Sequence, residues 1–188
     1  MSRAASTHDN ATITGNNIFN GKDGINCNYH CTAKDNYIHD QHDGTAIGWH
    51  QQACHAWVDG AIDLNLQHNS VVCTTGGCTA DITLNSETMS DASVERNLLM
   101  ASPTSSFCAY PAGGKRVTTQ NVTWVNNVFQ RGANKKCGFY GAVYSWDRNP
   151  SHHNTWSGNL WDDLTTINSD GSTTRIPVPA RDDRQQAQ

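Results

Sequence analysis

His39, His42, Asp43, His50, His55 and Asp59 crowd one short stretch of the chain. Imidazoles titrate near neutral pH and carboxylates below it, so such a group can move protons or hold a cation. His50, His55, Asp59 and Asp43 are therefore the candidate acid, base or ligand residues. Trp57 stands among them as a surface on which a ring could stack. The spacing selects no metal, because paired C-x-x-C and H-x-x-x-H patterns are missing. The bland alternative is a polar loop region in a His-rich chain.

The rest of the sequence says what must position these residues. The length of 188 residues suits one domain. Charged residues make up 16% of the chain, so its polarity comes from uncharged side chains. Asn alone occurs 19 times, and Ser, Thr and Gly are abundant, as in a turn-rich β protein. Six Trp, five Tyr and four Phe supply a core and argue against charge-driven disorder. A net charge of −4 offers no footprint for nucleic acid, and no long apolar run is present to span a membrane. No apolar leader follows Met1.

Seven cysteines are a heavy load for a cytosolic domain and point to an oxidising, extracellular setting. Cys73 and Cys78 bracket a Thr-Thr-Gly-Gly turn and should bridge; Cys108 and Cys137 should pair at longer range. Cys27 and Cys31 are similarly close, which leaves Cys54 odd. The sequons at Asn10 and Asn121 fit a secreted chain.

A repeat lies beneath the composition. Asn16, Asn36, Asn69, Asn97, Asn127 and Asn159 are each followed two residues later by Ile18, Ile38, Val71, Leu99, Phe129 or Trp161. Three residues before them stand Ile13, Ala33, Leu66, Val94, Trp124 and Trp156. Five before stand Ala11, Cys31, Leu64, Ala92 and Val122, with Asn154 as the exception. Apolar residues thus alternate with polar ones, stop at a bend marked by Asn, and resume. The spacing predicts an all-β fold of about six parallel coils, with the Asn side chains stacked as a ladder. The expected division is a polar segment over 1–9, the coiled domain over 10–165 and a polar tail over 166–188.

A third strand per coil is placed at Ile25–Asn28, Ile47–His50, Ile82–Asn85, Phe107–Tyr110 and Val143–Trp146, with second and fourth residues facing out. Its fourth-position column reads Asn28, His50, Asn85, Tyr110, Trp146. Amides, an imidazole and aromatic rings in a row suit the hydroxyl edges and C–H faces of sugars. The Gln51–Gly60 segment would then be a loop walling this face. A second column near the bend puts Asp35, His68 and Arg96 one above another, as a solvated charge ladder.

The segments Thr32–Asp40, Leu66–Asn69, Val122–Phe129 and Ser157–Asp163 resemble the right-handed, single-stranded parallel β-helix of the pectate-lyase-like superfamily, in particular its secreted bacterial members. The resemblance covers roughly residues 10–165. It implies a secreted protein acting on a polysaccharide in a groove along one sheet face, as a lyase or glycoside hydrolase. A divalent cation such as calcium would be the cofactor of the lyase version. The catalytic sets of that superfamily are not matched: Asp162-Asp163 is a pair but sits just past a bend. A binding or structural β-helix, self-associating through exposed end coils, is the other reading.

Overall fold

The structure is a computed structural model. It describes residues 3–7, 10–27, 29–41, 51–56, 61–74, 78–84, 88–112 and 118–175; for 3–7, 51–56 and 61 the backbone alone is described. The fold is all-β, with parallel sheets stacked as a β-solenoid. Among the described residues there is one 3₁₀ turn, Pro150–His152, and no helix is long and apolar enough to cross a membrane.

Three sheets run along the solenoid. The first has six strands in chain order: Arg3–Thr7, Asp23–Cys27, Gln51–Ala56, Cys78–Leu84, Phe107–Tyr110 and Gly141–Val143. The second carries the residues before each bend, pairing Ile13 with Ala33, Ala33 with Leu66, Leu66 with Val94, Val94 with Trp124 and Trp124 with Trp156. The third carries the two residues after it, from Asn17–Ile18 through Leu98–Leu99 to Leu160–Trp161. Ile38, Val71, Leu99 and Phe129 are fully buried in register, one apolar column of the core.

The bends explain the sequence pattern. Each bend asparagine from Asn16 to Asn127 donates its backbone N–H to the Oδ1 of the next one, at 2.9–3.0 Å. The side-chain amides of Asn36, Asn69, Asn97 and Asn127 make the parallel contact and also bond a carbonyl at 2.9 Å. Burial forces this pairing, since unpaired backbone groups at a bend would be orphaned. The residue before each of these asparagines is left-handed: Gly15, Asp35, His68, Arg96, Asn126 and Gly158 have φ from 52° to 69°. A second left-handed corner lies five residues earlier, at Asn10, His30, Asp63, Asp91, Asn121 and His153. Asn, Asp and Gly tolerate this conformation and fill most of these positions. The Asn154 exception is also accounted for, because its Oδ1 accepts the Val122 N–H at 3.0 Å.

Three disulfides join Cys27 to Cys31, Cys73 to Cys78 and Cys108 to Cys137. Strands also lie outside residues 10–165 at both ends. Arg3–Thr7 pairs with Asp23–Cys27 inside the first sheet. At the other end, Thr166–Ile167 and Thr173–Thr174 extend the third sheet as antiparallel strands, and Ile167 is fully buried. Trp156 Nε1 donates to the Ile167 carbonyl at 2.9 Å, tying this cap to the core.

Candidate functional site

Register in the first sheet decides which residues share a face. Ile25 pairs with Cys54, Cys54 with Ile82, Ile82 with Ala109 and Ala109 with Val143. The next residues along form one column: Asn26, His55, Thr83, Tyr110 and Tyr144. The column expected from sequence is therefore corrected in three places. The strand of the second coil in this sheet is Gln51–Ala56, where a loop was expected, and it puts His55 in the second-position column with Asn26 and Thr83. Phe107–Tyr110 is shifted by two residues, with Ala109 opposite Ile82. Trp146 leaves the column altogether, because the strand ends at Val143 and Ser145 turns left-handed at φ 48°. Trp146 packs instead against Trp156 and the core, at 5.7 Å between ring centroids.

The candidates Asn28, Asp43, His50, Trp57, Asp59 and Asn85 lie outside the described residues. His55 is placed by register alone. Its column neighbours Asn26 and Thr83 are 1% and 0% exposed, so among the described side chains of this column the face opens from Tyr110 onward. There the rings gather. Tyr110 and Tyr144 stand 4.5 Å apart, and Phe107 lies 5.1 Å from Tyr144 and 5.8 Å from Tyr140. Tyr140 is 68% exposed and Tyr144 40%. Burial, with Tyr144 and Tyr140 nearby, pushes the Tyr110 phenol up, so it stays a neutral hydrogen-bonding group.

Beside these rings runs a cleft of roughly 500 Å³, lined by Phe107, Tyr140, Trp161, Arg131, Lys135 and Lys136 among others. The 130–138 loop that brings the cations is held from many sides. Cys137 is bridged to Cys108, and its N–H donates to the Arg131 carbonyl at 3.0 Å. The Asn134 side chain accepts from the Lys136 N–H and donates to the Gly138 carbonyl, both at 3.0 Å. Gly138 permits a close approach: a Cβ there would stand 2.6 Å from Phe107 Cα. Arg131 is committed, with its guanidinium 4.2 Å above Trp161 and hydrogen-bonded to Asp163 at 3.0 Å. Hydrogen bonds from the Thr165 hydroxyl and N–H, aided by Arg131, hold Asp163 down at about 2. Asp170 is likewise lowered by the Ser172 hydroxyl and N–H and by Arg148. Lys135 and Lys136 have no ion-pair partner among the described residues.

The sequence reading missed this cationic loop and Tyr144, although Tyr144 stood at a second, outward-facing strand position. The Asp35–His68 pair expected at the bend is present at 2.6 Å, exposed and remote from the cleft in sequence and register.

The segment that follows Tyr144 is pinned by Asp147. Its Oδ2 accepts from the Thr119 hydroxyl at 2.6 Å and pairs with His152 Nδ1 at 2.6 Å, while Oδ1 accepts the Asn149 N–H at 2.9 Å. Burial raises this carboxyl, but the three hydrogen bonds outweigh it and leave it lowered. A lowered folded value stabilises the fold above the unfolded carboxylate range and loses that stability as pH falls through it. Melting temperatures should therefore drop on acidification below about pH 4 less steeply in Asp147→Asn than in the wild type.

Comparison with protein-family models, curated proteins and solved structures finds no match for this chain.

Proposed function

We propose that this protein is an extracellular carbohydrate-binding β-helix that takes an acidic polysaccharide across the Tyr110–Tyr144 face. We read its solenoid as a right-handed parallel β-helix of about six coils with an asparagine ladder, of the pectate-lyase-like kind. The observation that carries the function is the row of Phe107, Tyr110, Tyr140 and Tyr144 beside two lysines without acidic partners among the described residues. Rings stack on the C–H faces of pyranoses, and fixed ammonium groups pair with carboxylate substituents. The disulfides suit an oxidising setting.

Binding is favoured over turnover by the state of Asp170 in the cleft and of Asp163, which holds the cleft's Arg131. Asp163 and Asp170 are each engaged by an arginine and lowered, so neither is poised to exchange protons near neutral pH. Affinity electrophoresis in gels containing polygalacturonate, alginate, xylan or dextran tests the reading. Retardation by the two acidic polymers, weakening with salt, is expected. No retardation in any gel would overturn it, and a rise in ultraviolet absorbance of the polymer solution would show a lyase instead. Tyr144→Ala should weaken retention about tenfold, the magnitude of one lost aromatic contact.

A further inference from the structure

A second cluster of reactive groups lies inside the solenoid, around the disulfide that anchors the 130–138 loop. Asp81, on the strand Cys78–Leu84, is fully buried. Its Oδ1 accepts from the Ser102 hydroxyl at 2.6 Å and from the Cys73 N–H at 3.0 Å. Its Oδ2 is equally buried and has no hydrogen-bond partner. Buried polar atoms are nearly always satisfied, so this orphan oxygen calls for a ligand or a role. A carboxylate oxygen of Asp81 and the Sγ atoms of Cys108 and Cys137 all lie within 4.8 Å of one another. The Met100 carbonyl oxygen stands 3.8 Å from each sulfur.

The geometry points to a redox-gated metal site, in which the dithiol form of the chain holds one soft divalent cation of the zinc class on Cys108, Cys137 and Asp81. Two thiolates and a carboxylate are a known kind of donor set for zinc, and the Met100 carbonyl offers an oxygen as the fourth donor. On reduction the two sulfurs, bonded to each other in the disulfide, would move apart to the roughly 3.5–4 Å that separates two ligands of one tetrahedral cation with bonds of about 2.0–2.3 Å, while the carboxylate, within 4.8 Å of both, closes on the same point. Charge supports the same assignment. With the disulfide closed, burial pushes the Asp81 carboxyl well up, so the acid is neutral where no cation faces it. A divalent cation would balance the ionised acid and both thiolates in this dry interior.

Metal and disulfide exclude each other. A phosphine reductant supplies two electrons to the S–S bond, becomes its oxide with oxygen from water, and leaves two thiols. The cation then releases both thiol protons to solvent and forms two metal–sulfur bonds. A small-molecule disulfide, taking up the two electrons of the dithiolate and two protons to become two thiols, would eject the cation and restore the bridge that anchors the 130–138 loop.

The test is anaerobic cobalt(II) titration of the phosphine-reduced protein, followed by sulfur-to-cobalt charge-transfer absorption. Binding of one cobalt is expected after reduction, none with the disulfides intact, and at least about tenfold weaker binding in Asp81→Asn. Because other cysteines are also freed, the site is located by mass spectrometry of alkylated peptides with and without zinc. Zinc should slow alkylation of Cys108 and Cys137, and Cys27→Ser/Cys31→Ser should leave the cobalt spectrum unchanged. Circular dichroism monitors the fold, and a reduced chain that unfolds but regains its β spectrum with zinc would support the site equally. Unprotected Cys108 and Cys137, a cobalt spectrum indifferent to Asp81→Asn, or a reduced unfolded chain that zinc does not restore would each overturn it.

Discussion

Asn97→Leu is expected to cost about 3–5 kcal/mol of stability, read as a lower urea midpoint with an unchanged slope. The side chain is 1% exposed and fully used. Its Oδ1 accepts the backbone N–H and the side-chain amide of Asn69, at 2.9 and 3.0 Å. Its Nδ2 donates to the Leu66 carbonyl at 2.9 Å and to Asn127 Oδ1 at 3.1 Å. Leucine has the same branched skeleton, is larger and has no polar atom, so four buried groups would each lose a bond at once. The Asn69 N–H would be orphaned, at about 1–3 kcal/mol, whereas the Asn69 side-chain amide keeps the Ala33 carbonyl and Asn127 Oδ1 keeps the residue-97 N–H, so those losses are smaller. Asn16→Leu is the internal control. Asn16 is exposed at the end of the column and accepts from no other bend asparagine, so a loss under about 1 kcal/mol is expected. Equal losses at the two positions would show that the asparagine column does not carry the bend.

The bend was legible in the sequence because its requirement is strict. A left-handed corner, a buried amide and an apolar residue two positions later recur together, and few residue types satisfy all three. Ile38, Val71, Leu99 and Phe129 fell into one column for that reason. The first sheet has no comparable marker, and there the reading slipped. Phe107 looked like a core residue by size, yet Ala109 takes the register position between Ile82 and Val143. Cys54, left odd by the cysteine count, occupies the equivalent position between Ile25 and Ile82. Trp146 shows a different failure. A left-handed Ser145 ends the alternation that the sequence pattern extended by two residues. The lysine loop was invisible because nothing periodic marks it; a disulfide and the Asn134 side chain place it.

Lys135→Ala/Lys136→Ala should reduce affinity for an acidic polysaccharide about 100-fold at low salt and leave any retention by neutral polymers nearly unchanged. The size follows from hydrogen bonds to charged groups, about 1.5–3 kcal/mol each when both partners are held in place. Preorganisation is what keeps surface lysines from the usual near-zero value. Here the loop is fixed by the Cys108–Cys137 bridge and by backbone bonds from Cys137, Phe139 and Tyr140 to Arg131, Ser105 and Ser106. Among the described residues the ammonium groups also have no acid to give up on binding, because Asp163 and Asp170 are already taken by Arg131 and Arg148. Lys34→Ala removes the same charge from the exposed bend column, where Lys34 lies beside Asp35 at 3.9 Å, and should change retention little. Salt separates the contributions further. The wild-type advantage over the double variant should shrink as ionic strength rises, whereas the Tyr144→Ala deficit should persist, since stacking is not screened. A double variant retained as strongly as the wild type on polygalacturonate would place the anionic polymer elsewhere on the solenoid.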